Sequence, residues 1–172
     1  HTHPLAEYMV HIKTGNWQQV AQLMISSTRK VAVAGADFAV CPDNTIHQAF
    51  DFVVEKTPIP WLHIAEVVGE EAKRNGFKKI GVLGTRYLVT SSVYTQAMNK
   101  FGISCEIPDK IDCEKVDEII FNELVNGIFS ESSRLYFNQV VMKLKQCGCE
   151  AVVLGCTEMP LLVDTDDCPL PT

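Results

Sequence analysis

No stretch of this 172-residue chain approaches the run of about 18 apolar residues that a membrane span requires, and no signal-peptide pattern opens it. The expectation is a soluble protein without a membrane partner. Basic runs are missing too. The 15 Lys and Arg are interspersed among 21 Asp and Glu, for a net charge of −6, so nothing tracks a phosphate backbone and a nucleic-acid partner is disfavoured. There are seven cysteines but no disulfide framework: the number is odd, and they sit singly in apolar or helical surroundings. A reducing, cytoplasmic location is expected, with an organellar targeting peptide ahead of His1 left open. Cys147-Gly148-Cys149 has neither a second cysteine pair nor a histidine at zinc-finger spacing, so no metal is expected and these thiols read as small hydrophobes.

With 47% hydrophobic and 21% charged residues, the chain can build one sizeable core or two small ones. Apolar positions at helical spacing (Val20, Leu23, Met24, Val31) predict a helix over Trp17 to Val33, with Gly35 at its end. Ala36 to Cys41, bounded by Gly and Pro, reads as a buried parallel strand, and Ile46 to Glu55 as a helix. Pro58 and Pro60 punctuate a crossing between lobes. Beyond them come a helix over Ile64 to Asn75, a strand over Lys79 to Gly84, a helix over Tyr94 to Phe101 and a strand over Ile103 to Ile107. Helices over Glu114 to Val125 and Ser132 to Gln146 precede the last strand, Ala151 to Leu154. Strands alternating with helices predict an α/β protein with doubly wound parallel sheets, since parallel strands need helical crossovers. The chain opens on His1-Thr2-His3-Pro4 with no strand and closes on Pro171-Thr172 with no helix, so truncation is expected at both ends. Residues 1–59 read as part of a first lobe, 60–168 as a second, and 169–172 as the start of a return to the first.

An ungapped internal repeat locates a candidate site. Placing Gly35 on Gly148 lays Asp43-Asn44-Thr45 over Cys156-Thr157-Glu158. Each half reads helix, glycine, acidic residue, strand, then a reactive side chain at the strand's carboxyl end, where α/β folds keep their ligands. Two such units can face each other across a pseudo-twofold axis and present one functional group to each side of a cleft. Asn44, Thr45 and Thr157, with helix N-terminal N–H groups, suit a carboxylate, which points to an anionic substrate.

The segments Ala36-Asp37-Phe38 to Pro42-Asp43-Asn44-Thr45-Ile46-His47 and Leu154-Gly155-Cys156-Thr157-Glu158, with Leu83-Gly84-Thr85-Arg86 between them, resemble the signature motifs of the aspartate/glutamate racemase family. The resemblance covers nearly the whole chain. It implies two pseudo-symmetric lobes, no cofactor, a homodimer and an acidic amino acid as substrate. Glu158, where glutamate racemases typically carry His, leans toward the aspartate branch. The family usually has cysteine where this chain has Asp43. Cys41, two residues earlier, does not inherit that role. The family match also implies substrate contacts for Asn44, Thr45, Thr85, Thr157 and Glu158, with Arg86 suited to a side-chain carboxylate through its planar fork.

Racemisation without a cofactor needs a base on one face of Cα and an acid on the other. Unperturbed pKa values of about 3.9 for Asp and 8.5 for Cys make Asp43 the resting base and Cys156 the resting acid, so unequal rates for the two enantiomers are expected. Two other functions fit the same residues. One is a dicarboxylate isomerase or decarboxylase with Cys156 acting alone; the other is a non-catalytic binder of acidic amino acids. His47, in the first turn of a helix, reads as structural, and Trp17 and Trp61 as core or interface residues.

Overall fold

The computed structural model describes residues 1–172, which form two compact units, 1–67 and 68–172. The protein is α/β with a parallel sheet, as its alternating pattern requires. No helix is long and apolar enough to cross a membrane.

The first unit is built on helices α1 (Leu5–Ile12) and α2 (Trp17–Val33). Asn16 caps α2 by accepting the Gln19 N–H at 3.3 Å. Val20, Ala21, Met24, Ile25 and Thr28 recur on one face of α2 and are buried. The Thr28 hydroxyl is accommodated there because it donates to the Met24 carbonyl at 2.8 Å. Gly35 ends the helix with φ +94°, a backbone conformation that favours glycine.

The strand expected over Ala36 to Cys41 is reduced to a single parallel bridge between Ala39 and Trp61. Ala39 donates to Pro60 O at 2.8 Å and accepts from Leu62 N–H at 3.0 Å. Its neighbours Phe38 and Val40 are 55% and 62% exposed. The helix expected over Ile46 to Glu55 is likewise split, into a 3-10 turn at Thr45–Ala49 and α3 at Asp51–Val54. The tighter turn follows from i→i−3 bonds, His47 N–H to Asn44 O and Phe50 N–H to His47 O. Helix α4 (Ile64–Arg74) follows.

The second unit carries a three-stranded parallel sheet in the order β2 (Ser104–Glu106), β1 (Lys79–Leu83), β3 (Ala151–Leu154). Ile80 pairs with Cys105 on one side and Ala151 on the other, and Leu83 with Leu154. The strands are joined through α5 (Arg86–Val89), α6 (Val93–Asn99), α7 (Lys110–Asn122) and α8 (Glu131–Gln146), and α9 (Met159–Leu162) closes the order. Helix α7 starts four residues before the expected Glu114 because Asp109 caps it, accepting the Asp112 N–H at 2.9 Å. The short helices α1 and α9 do not stand out in the sequence pattern.

Leu83, Ile119, Ile120, Phe137, Leu144 and Val152 form the centre of this unit's core. Each large side chain there contributes about 1.5–3 kcal/mol by leaving water. Gly81 allows α8 to sit tightly on β1, since a Cβ there would lie 2.8 Å from Leu144 Cδ1. A buried polar clasp ties α7 to α8: Asp112, 2% exposed, accepts the Tyr136 hydroxyl at 2.8 Å and Lys143 Nζ at 2.7 Å. Burial and that hydrogen bond push the Tyr136 phenol up to about 12.

The repeat extends to the backbone. After α2, Gly35 N–H bonds Ala32 O and Ala36 N–H bonds Val31 O; after α8, Gly148 N–H bonds Lys145 O and Cys149 N–H bonds Leu144 O. These are the same positions under the ungapped alignment. Gly148 has φ +87°, close to its counterpart. Ala39 donates to Pro60 O, and the aligned Val152 donates to Pro171 O at 2.8 Å. The likeness of the two halves therefore includes hydrogen bonds that hydrophobic patterning does not dictate.

Candidate active site

Two neighbouring parallel strands deliver the candidate residues of the second unit. β1 runs out through Gly84 into Thr85 and β3 through Gly155 into Cys156, with Leu83 in register with Leu154. Gly155 N–H bonds Leu83 O at 2.8 Å. A Cβ on Gly155 would meet that oxygen at 2.5 Å and Leu88 Cδ2 at 2.4 Å, so glycine is what permits the close approach. Cys156 and Thr85 thus leave the same edge of the sheet, at the carboxyl ends of its strands.

The half-buried Cys156 thiol donates to Glu158 Oε2 at 2.9 Å, and the Thr157 hydroxyl donates to the same oxygen at 2.9 Å. Burial alone would raise the Glu158 carboxyl, but the bonds from Cys156, Thr157 and its own backbone outweigh burial and hold it below the usual range. Glu158 is therefore a carboxylate at neutral pH, and it accepts the Cys156 thiol hydrogen bond.

Thr85 stands at the head of α5, where its carbonyl accepts the Leu88 and Val89 N–H groups. Arg86 is 64% exposed at its side chain. Its backbone N–H bonds Asp117 Oδ1 at 2.8 Å, its Nε lies 3.6 Å from Asp117 Oδ2, and its guanidinium lies over the Tyr87 ring at 5.1 Å. Arg86 and Asp117 line a cavity of about 640 Å³ with Thr90, Lys110 and Cys113. The Asp117 partnership is not legible in the sequence, where the Asp117-Glu118 pair between Val116 and Ile119 looks like two solvated helix positions.

In the first unit, Asp43 follows the bridge strand and lines an open, largely apolar cavity of about 890 Å³ with Tyr8, Met24, Phe38, Cys41 and Trp61. Its Oδ1 accepts the Ile46 N–H at 3.0 Å, and its carbonyl bonds His47 Nδ1 at 2.7 Å. Asn44 is buried and accepts the His47 N–H; Thr45 is half-buried. The Cys41 thiol points back to the Asp43 carbonyl at 3.9 Å. Burial, with the Asp43 charge adding to it and that backbone bond opposing it, pushes Cys41 up to about 11. Cys41 stays a thiol at neutral pH. Burial draws His47 down to about 4, so its ring is neutral.

No group of three or more His, Cys, Asp or Glu side chains is placed to hold a metal ion. Cys149 is buried and Cys147 exposed.

The crystal structure of an Asp/Glu racemase candidate from Yersinia pestis matches with a TM-score of 0.87 at 37% identity, over 96% of this chain and 73% of that one. The structure of an aspartate racemase homologue from Pyrococcus horikoshii matches with a TM-score of 0.80 at 27% identity, over 91% of this chain and 69% of that one. A glutamate racemase of Sulfurihydrogenibium is 32% identical over 120 residues, which are 68% of this chain. The chain spans 44% of that relative's length. The model of the Asp/Glu/hydantoin racemase family matches residues 3–171, and the chain belongs to that family.

Proposed function

We propose that this protein is a cofactor-independent amino-acid racemase that exchanges the Cα proton of aspartate, glutamate or a similar acidic amino acid. Cys156 acts on one face of Cα and Asp43 on the other. The observation that carries this reading is the thiol of Cys156 at the carboxyl end of β3, bonded at 2.9 Å to the Glu158 carboxylate in a chain of the racemase family.

In the first direction the Asp43 carboxylate removes the Cα proton and the Cys156 thiol returns one to the carbanion. The thiolate left beside the negative Glu158 is unfavourable, which drives its reprotonation. In the opposite direction Cys156 must first become thiolate. Its proton leaves through Glu158 Oε2 to solvent, the thiolate takes the Cα proton, and an Asp43 carboxyl protonated from solvent supplies the other. One proton enters and one leaves in each direction, so the reaction is balanced. Asn44, Thr45, Thr85 and Thr157 hold the substrate carboxylates by hydrogen bonds, and Arg86 pairs with the side-chain acid. Because Asp43 and Cys156 differ in chemistry, the two directions run at different rates.

Incubating the protein with each enantiomer of aspartate and of glutamate, and separating products on a chiral phase, tests the reading. Conversion of one enantiomer into the other without added cofactor is expected. An unsaturated or decarboxylated product would assign the chain to a sister activity, and binding without turnover to a non-catalytic role.

A further inference from the structure

We propose that His47 is a positioning residue for Asp43, a role that rests on the function proposed above. The imidazole is only 3% exposed, and each ring nitrogen has a backbone partner of opposite kind. Nδ1 lies 2.7 Å from the Asp43 carbonyl oxygen, and Nε2 lies 3.2 Å from the Ile64 backbone nitrogen. A carbonyl can only accept and an amide N–H can only donate, so these partners dictate the tautomer: Nδ1 carries the proton and Nε2 is bare.

The ring cannot pivot out of this arrangement. It is stacked on Phe50, with centroids 5.8 Å apart and planes 12° apart, and met edge-on by His63 at 4.8 Å. Both nitrogens are committed, so His47 has no free site from which to exchange a proton with a substrate. What it does instead is fasten the Asp43 carbonyl to the first residue of α4. The Asp43 carboxylate is fixed separately, through the Ile46 N–H at 3.0 Å. Main chain and side chain of Asp43 are both held, which is how a proton-transfer group is kept within a few tenths of an ångström of its working position. The titratable side chain facing the ring is His63, Asp43 meets it through its backbone carbonyl, and burial keeps His47 neutral down to a pH of about 4, so the clasp holds across the neutral range.

Two substitutions separate the two bonds. His47→Asn leaves an amide donor near the Nδ1 position and gives up the acceptor for Ile64. His47→Gln leaves a polar group near Nε2 and gives up the bond to Asp43. A positioning role predicts that His47→Gln lowers kcat about 10-fold to 100-fold with KM changed less than about threefold. His47→Asn keeps kcat within roughly fivefold of the parent, since it retains the bond to the Asp43 carbonyl. Melting temperature is measured on both variants as a stability control. In the ring ¹⁵N spectrum of the parent protein, Nδ1 is the protonated nitrogen at pH 7. Equal kcat losses in the two variants that follow their melting temperatures would overturn the proposal, as would a ring protonated at Nε2. If the parent protein exchanges no Cα proton at all, the racemase reading fails and this role fails with it. Exchange by the parent with Asn and Gln variants alike refutes the role of His47 alone.

Discussion

Replacing Gly155 by alanine tests how the second unit brings its candidate residues to one sheet edge. The added methyl would lie 2.5 Å from Leu83 O and 2.4 Å from Leu88 Cδ2. The Leu88 methyl can rotate away, but the oxygen belongs to β1 and already accepts the Gly155 N–H at 2.8 Å. Relief therefore requires parting β1 from β3 at the point where Cys156 begins. Overpacking of this kind costs about 1–3 kcal/mol when side chains absorb it, and the backbone contact puts Gly155→Ala at the upper end, about 3 kcal/mol. Gly84→Ala is the matched control. Its methyl would meet Leu88 Cδ2 at 2.8 Å but Gly155 O only at 3.5 Å, so the yielding side chain takes the strain and about 1 kcal/mol is expected. Urea unfolding followed by circular dichroism reads the difference, provided the m-value is unchanged. In thermal melts, Gly155→Ala should fall by about 6–12 °C. A Gly155→Ala variant as stable as Gly84→Ala would refute the claim that the close approach of β1 and β3 depends on glycine.

Other outcomes follow from the same contacts. His47 is neutral in the folded protein down to about 4, against 6.5 for the free imidazole. The unfolded chain therefore binds the extra proton as pH falls below 6.5, and roughly 3 kcal/mol of stability is lost on the way to pH 4; urea midpoints from pH 7.5 to 4.5 should drop more steeply for the parent than for His47→Gln. With its thiol pushed up to about 11, Cys41 should alkylate with iodoacetamide at pH 7.5 far more slowly than the exposed Cys147, as peptide mass mapping would show. Glu158→Gln removes the carboxylate that accepts the Cys156 proton, so the rate should fall about 10-fold or more in the direction that needs the thiolate and less in the other, read from initial rates with each enantiomer. Asp112→Ala strands the Tyr136 hydroxyl and the Lys143 ammonium and should cost about 2–4 kcal/mol of unfolding free energy.

Where the sequence pattern is strong, the fold follows it closely. Helix α2 runs from Trp17 to Val33, and β1 and β3 fall on the apolar runs around Ile80 and Val152, because periodicity and glycine stops are local signals. The bridge segment is different. Ala36 to Cys41 has the composition of a buried strand, but only Ala39 finds a paired neighbour, in Trp61, and pairing is a tertiary fact that composition does not encode. Cys156 and Asp43 stand out as candidates in the sequence because the repeat aligns them. Their partners are only half legible. A thiol two residues from a carboxylate is visible in the string Cys156-Thr157-Glu158, but that it donates to Glu158 depends on the turn after β3. His47 beside Asp43 is also visible, while its second bond, to Ile64 seventeen residues on, is not.

In the proposed reaction the Cys156 thiol moves the Cα proton. The direct measurement is deuterium wash-in at Cα, followed by proton NMR in deuterated water with L- and D-aspartate and L- and D-glutamate, for the parent protein and for Cys156→Ser. Loss of the Cα signal is expected in the parent with at least one of these acids, at unequal rates for its two enantiomers, and Cys156→Ser should show a fall of at least 100-fold for the enantiomer whose proton the thiolate takes. Parent-level wash-in by Cys156→Ser with both enantiomers, or none by the parent with any of these acids, would overturn the role of Cys156.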